Sequence, residues 1–217
     1  MKLRHFFLLL SFLAGITGFF VTALVAQDDD SEFTALYNGK DLTGWKTTGN
    51  WVVEADGVLS ILPREGEEGW KRYDAYLTTE KVYDDFILKL EFKYPEGGNS
   101  GLYFNIGDPA DPVTSGIEIQ ILDSLGKADD EMTHHDNGGV IKTQPPAKNV
   151  SRPAGEWNQM TVKCEGSQLT VMMNGVQIHD FDLSAAEGTK DKPSKGYLSL
   201  QDHGLPLSFR KVLIKEL

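Results

Sequence analysis

Apolar residues fall at every second position in segment after segment of this 217-residue chain, and that spacing leaves few folds open. In GIEIQIL, Ile117, Ile119 and Ile121 alternate with Glu118 and Gln120. Successive side chains of a strand point to opposite faces, so the isoleucines read as a core face and Glu118 and Gln120 as the other. Leu102, Phe104 and Ile106 alternate with Tyr103 and Asn105 in the same way. Strands are expected over residues 51–54, 58–62, 75–78, 86–94, 101–106, 117–122, 157–164, 168–173, 176–181, 197–201 and 207–215. Turn formers separate them, among them Ala55-Asp56-Gly57 and Glu96-Gly97-Gly98-Asn99. In VMMNGVQI, two apolar runs flank Asn174-Gly175, which predicts a tight hairpin. No long segment repeats with a helical period, and residues 184–189 would form one helical turn. More than ten strands without alternating helices predict an all-β protein, an antiparallel sandwich or jelly roll.

The first 26 residues follow a different rule. Lys2 and Arg4 precede an apolar run from Phe6 to Val25, and Gln27-Asp28-Asp29-Asp30 then turns sharply acidic. Residues 1–26 read as a secretory signal peptide, or as an uncleaved N-terminal anchor, since the run is about 20 residues long. Either reading places the rest of the chain in the periplasm or outside the cell. Residues 27–32 form an acidic linker, and residues 33–217 have the length of one domain. Setting aside Lys2 and Arg4 leaves 19 basic against 32 acidic residues, which disfavours nucleic acid and anionic membrane as partners. The single cysteine, Cys164, alternates with Met160 and Val162 and reads as a buried strand thiol.

Three groups of residues carry the chemistry. Glu118, Gln120 and Asp123 offer two carboxylates and an amide near one strand, as cleavage of a glycosidic bond requires. Asp123 has the wrong parity for that face unless a bulge or the strand end reorients it. In GYLSLQDHG, Tyr197, Ser199, Gln201 and His203 share the face opposite Leu198 and Leu200, and His203 titrates near neutrality. His134, His135 and Asp136 form a weak metal candidate whose spacing matches no specific zinc pattern. They lie in a Gly-, Pro- and charge-rich stretch between Asp123 and Trp157, a length usually functional or disordered. Of the four tryptophans, Trp51 and Trp157 read as core. Trp70, in a Glu-rich loop with Arg72 close by, is the best candidate to stack on a sugar.

FTALYNGKDLTGW, GNSGLYF, IEIQILDS, KNVSRPAGEWN, GYLSLQDHG and FRKVLIKEL occur in the order found in one family. With them the chain resembles the 3-keto-disaccharide hydrolase domain, over essentially residues 33–217. The resemblance implies a concanavalin A-like fold, a two-sheet antiparallel jelly-roll sandwich with one sheet curved into a concave ligand face. Lys142 stands where many members carry an aromatic residue.

The resemblance implies an exported hydrolase of 3-keto glycosides or disaccharides. A ketone at C3 acidifies the proton at C2, so a base can form an enolate and the C1 substituent can leave. Glu118 is the expected base or acid, with His203 or Asp123 as the second group. Asn99, Ser100, Tyr103, Gln120, Lys142 and Gln201 would contact the sugar. No redox cofactor is required, and a divalent cation chelating the keto sugar is compatible with the scheme. The alternative is a lectin-like binding module, which would use the same face without an ionisable pair.

Overall fold

Thirteen strands form within residues 30–217, the part of the chain described by a computed structural model. They are β1 (Thr34–Ala35), β2 (Trp45–Lys46), β3 (Trp51–Val53), β4 (Leu59–Ile61), β5 (Leu77–Thr79), β6 (Phe86–Lys93) and β7 (Asn99–Ile106). Then follow β8 (Ile117–Leu122), β9 (Asn158–Glu165), β10 (Gln168–Met173), β11 (Val176–Asp182), β12 (Tyr197–Leu200) and β13 (Ser208–Glu216). The proposed signal or anchor segment lies outside the described residues. Among the described residues, no helix is long and apolar enough to cross a membrane.

The strands build two antiparallel sheets. One runs β11-β10-β9-β6-β13-β4-β3, with β1 also paired to β13; the other runs β2-β5-β12-β7-β8. The Asn174-Gly175 turn closes β10 onto β11 with φ values of 49° and 80°, the left-handed geometry that a two-residue hairpin turn needs. Alternation decides what lies between the sheets. Phe86, Leu88, Leu90 and Phe92 of β6 and Met160, Val162 and Cys164 of β9 are buried in one core with Leu102 and Phe104 of β7 and Ile117, Ile119 and Ile121 of β8. Burying side chains of this size stabilises by about 1.5–3 kcal/mol each, before chain entropy is subtracted. Burial also raises the Cys164 thiol to about 11, which makes it inert as a nucleophile.

Four sequence expectations change. The segment expected to extend over residues 75–78 begins as a 3-10 turn (Tyr73–Ala75), so its strand starts at Leu77. The two-residue strands β1 and β2 were not foreseen, because so short a run carries no period of its own. The turn expected at 184–189 is a 3-10 turn at Leu183–Ala185. Trp157 is half-buried rather than core: the Arg210 guanidinium lies 4.1 Å and the Lys93 ammonium 4.9 Å from its ring centroid.

A bulge corrects the reading of β7. Tyr197 pairs with Ile106 and Ser199 with Tyr103, so β7 carries one residue more than β12 between those pairs. Asn105 absorbs it at φ 52°. Its side chain turns into the interior, with Nδ2 3.9 Å from Cys164 Sγ. Ile106 moves to the outer face, where it packs with Tyr76 and Tyr103.

Candidate functional site

The outer face of the five-stranded sheet carries the site. Tyr103 of β7 stands directly opposite Glu118 of β8. Cross-strand partners project from the same face, so the Tyr103 hydroxyl reaches Glu118 and donates to Oε2 at 2.5 Å. The neighbouring pair is Gly101 and Gln120. A Cβ on Gly101 would lie 2.2 Å from Glu118 Oε1, so glycine there makes room for the carboxylate. The Gln120 amide lies 3.1 Å from Asn99 Oδ1 and, turned over, donates to Glu118 Oε1 at 3.2 Å.

The long segment before β9 is ordered and completes the wall. Its residues 138–141 run along the free edge of β8. Gly138 N donates to Gln120 O at 2.8 Å, Gln120 N to Gly139 O at 2.8 Å, and Ile141 N to Glu118 O at 3.0 Å. This covers an edge that would otherwise expose backbone groups. Buried His179 of β11 is bonded to the Gly138 carbonyl at 2.7 Å and anchors the segment from the other sheet. His135, Ile141 and Lys142 are thereby carried over the sheet face. With Trp70, Val113 and the sheet residues they enclose a cavity of ≈340 Å³.

Glu118 faces this cavity, partly exposed but deeply surrounded by protein. Desolvation raises its carboxyl from 4.5 to about 7, against the opposing pull of the Tyr103 hydrogen bond. The Tyr103 phenol is pushed far above its ordinary value, by burial first and then by the Glu118 charge, so it acts as a donor and not as an anion. Behind it lies buried Tyr76, whose ring centroid is 5.6 Å from that of Tyr103. The Tyr76 hydroxyl donates to Trp70 O at 2.7 Å and accepts from Gln201 Nε2 at 2.8 Å. That arrangement leaves the buried Gln201 Oε1 without a hydrogen-bond partner. Burial lowers the His203 imidazole, which favours its neutral form.

Asn99, Tyr103, Glu118, Gln120, Lys142, Gln201 and His203 all line the cavity. Trp70, 40% exposed, lines it too, as expected of a stacking platform. The structure does not bring Ser100 or Asp123 there. Ser100 is fully buried beneath the face and donates to Gln201 O at 2.8 Å. Asp123 folds back on the strand end, where Oδ2 accepts from Gly97 N at 3.0 Å and Oδ1 from Leu125 N at 3.4 Å. Its parity holds it off the site, and no bulge reorients it. Arg72 pairs with Glu67 and with buried Asp202 instead of facing the cavity.

The weak metal candidates separate. Asp136 is buried in its own loop against Lys127 Nζ (2.6 Å) and Thr133 N (2.7 Å). His134 Nδ1 accepts from Lys142 N at 2.9 Å, and His135 lines the cavity. Among the described residues, no three His, Cys, Asp or Glu side chains converge as a metal site would require. Sequence reasoning missed Tyr76 and Gly101 as parts of the site. Tyr76 sits in a segment whose sequence predicts only a strand, and the need for glycine at 101 arises only across the sheet.

Two antiparallel sheets packed face to face define a concanavalin A- or galectin-like sandwich, here with a cavity of aromatic, amide and carboxyl groups on an outer face. Residues 32–215 match the family described as a 3-keto-alpha-glucoside-1,2-lyase-like domain, and the chain belongs to that family. A Bacteroides thetaiotaomicron protein named 3-keto-disaccharide hydrolase is 22% identical, across 87% of this chain and 80% of that protein. Among solved structures, a "putative glycosyl hydrolase" from Parabacteroides distasonis superposes with a TM-score of 0.72 at 26% identity, over 89% of this chain and 98% of that one. The carbohydrate-binding module CBM66 of Bacillus subtilis shares the fold, with a TM-score of 0.54 at 16% identity over 82% of this chain and 98% of that one.

Proposed function

We propose that this protein cleaves 3-keto glycosides by acid–base chemistry centred on Glu118. The observation that carries the reading is one carboxyl raised to about 7 inside a cavity whose other walls are amide, aromatic and imidazole groups. A base of that strength is matched to work near neutral pH. The Glu118 carboxylate takes the proton from C2, and the electron pair moves into an enolate across C2 and C3. The amides of Gln120 and Asn99 supply donors for the enolate oxygen. The enolate then re-forms the ketone, a double bond forms between C1 and C2, and the C1–O bond breaks. His203, kept neutral by burial, donates a hydrogen bond to the departing oxygen, which takes from Glu118 the proton removed from C2. Addition of water, hydroxyl to C1 and proton to C2, completes a net hydrolysis. Elimination followed by hydration accommodates both the lyase in the family's description and the hydrolase in the relative's name.

The substrate is a small oxidised disaccharide or glycoside, and the domain works as an exported protein, periplasmic or extracellular. N-terminal sequencing of material from the native host should find Gln27 first; retention of Met1 in a membrane fraction would favour the anchor.

The deciding experiment incubates the protein with a 3-keto disaccharide and with its unoxidised parent in D₂O. Only the keto sugar should be cleaved, with deuterium at C2 of the product. Cleavage without label at C2 would mean direct displacement at C1. Glu118→Gln should lower turnover by about 10²–10⁴-fold while leaving sugar binding largely intact. Binding without turnover in the wild type would make the protein a lectin.

A further inference from the structure

Glu118 and Tyr103 do not close the cavity on their far side. They also line a second, smaller pocket of ≈140 Å³, together with Lys142 and Lys192. The two pockets meet at Glu118, so a glycosidic bond poised over that carboxylate has room for one residue on each side.

The charges of the smaller pocket are unbalanced. Besides the Tyr103 phenol, its ionisable lining groups are Glu118, Lys142 and Lys192. Lys192 Nζ is held in place by the backbone carbonyls of Val113, at 3.3 Å, and Thr114. Burial and then the neighbouring Lys142 charge both lower the Lys192 ammonium, and the weaker pull of Asp111 opposes them. Asp111 is occupied in capping Thr114 N at 3.2 Å. In a chain with 32 acidic and 21 basic residues, two ammonium groups line this pocket against the single carboxyl of Glu118, which leaves positive charge to offer an anion.

We propose that this pocket is the leaving-group subsite and that Lys142 and Lys192 select leaving groups carrying an anionic substituent, such as a carboxylate. The inference rests on the 3-keto glycosidase reading of the same site and adds the class of substrate. Both ammonium groups would reach an anion at the end of the leaving group remote from C1, and no step of the reaction changes.

The test compares two 3-keto-glucosides that differ only in charge, one with a para-carboxyphenyl and one with a para-carbamoylphenyl leaving group. Dissociation constants are measured by calorimetry beside kcat/KM. At low ionic strength the carboxylate should be preferred on the order of tenfold, the usual worth of a charge-assisted bond. The preference should shrink when salt is raised to about 0.3 M. Lys192→Gln, one bond shorter, retains an N–H donor but loses the charge, and should bring the ratio close to one; Lys192→Arg should restore it. Equal binding of the two glycosides, or a preference that survives Lys192→Gln, would overturn the proposal. Preferential binding with no turnover of either compound would uphold the subsite and sink the glycosidase reading instead.

Discussion

The Tyr103 hydroxyl lies 2.5 Å from Glu118 Oε2. Burial drives the Glu118 carboxyl toward its neutral form, and this one hydrogen bond pulls it back, so the pair sets the strength of the base together. Tyr103→Phe removes the donor without changing the ring. The carboxyl should rise further, by about one unit or more. The kcat/KM profile on a 3-keto glycoside should climb with pH through about 7 in the wild type and shift to higher pH in the variant. An unshifted profile would mean that Tyr103 only packs.

The same burial has a cost in stability. Between the ordinary value of 4.5 and about 7, the folded protein retains a proton that the unfolded chain has released. Stability contributed by this site is therefore highest below that window, falls as pH rises through it, and is level above it. Glu118→Gln removes the charge and its desolvation. The variant should be more stable than wild type by about 1–3 kcal/mol above neutrality and little changed at acid pH. Thermal melts across the pH range would show this as two curves that converge at low pH.

Gly101 is predicted to be irreplaceable even by alanine. The added Cβ would meet Glu118 Oε1 at 2.2 Å and Cδ at 3.0 Å, and the carboxylate must move to clear it. Overpacking of this kind costs about 1–3 kcal/mol. A displacement of the base should lower kcat by about 10²-fold with a smaller change in KM. Wild-type kcat in Gly101→Ala would show that Glu118 can work from another rotamer.

Asp123 should behave as a structural residue. Asp123→Ala leaves Gly97 N and Leu125 N without their acceptor, which predicts a loss of about 1 kcal/mol in denaturant titration. Its kcat/KM should stay within about threefold of wild type. A hundredfold loss would return Asp123 to the catalytic group.

The sequence by itself determined the sheets and the two faces of their strands. Alternation is written locally into the covalent geometry of an extended chain, so Ile117, Ile119 and Ile121 could be assigned inward and Glu118 and Gln120 outward from spacing alone. The Asn174-Gly175 hairpin was legible for the same reason: both residues tolerate the left-handed backbone that the turn demands. The tertiary structure decided everything that depends on which segments become neighbours. Asn105 and Ile106 exchanged faces because β12 pairs with β7 out of step, a mismatch that neither strand records alone. Tyr76 joined the site through Gln201, 125 positions away. His135 and Lys142 reached the cavity because residues 138–141 pair with the edge of β8, a contact set by unpaired backbone groups and not by side-chain pattern. Glu118 could be named from the sequence, but its basicity could not: the raised carboxyl comes from the protein packed around it, and that surrounding exists only once the two sheets and the loop between β8 and β9 have closed.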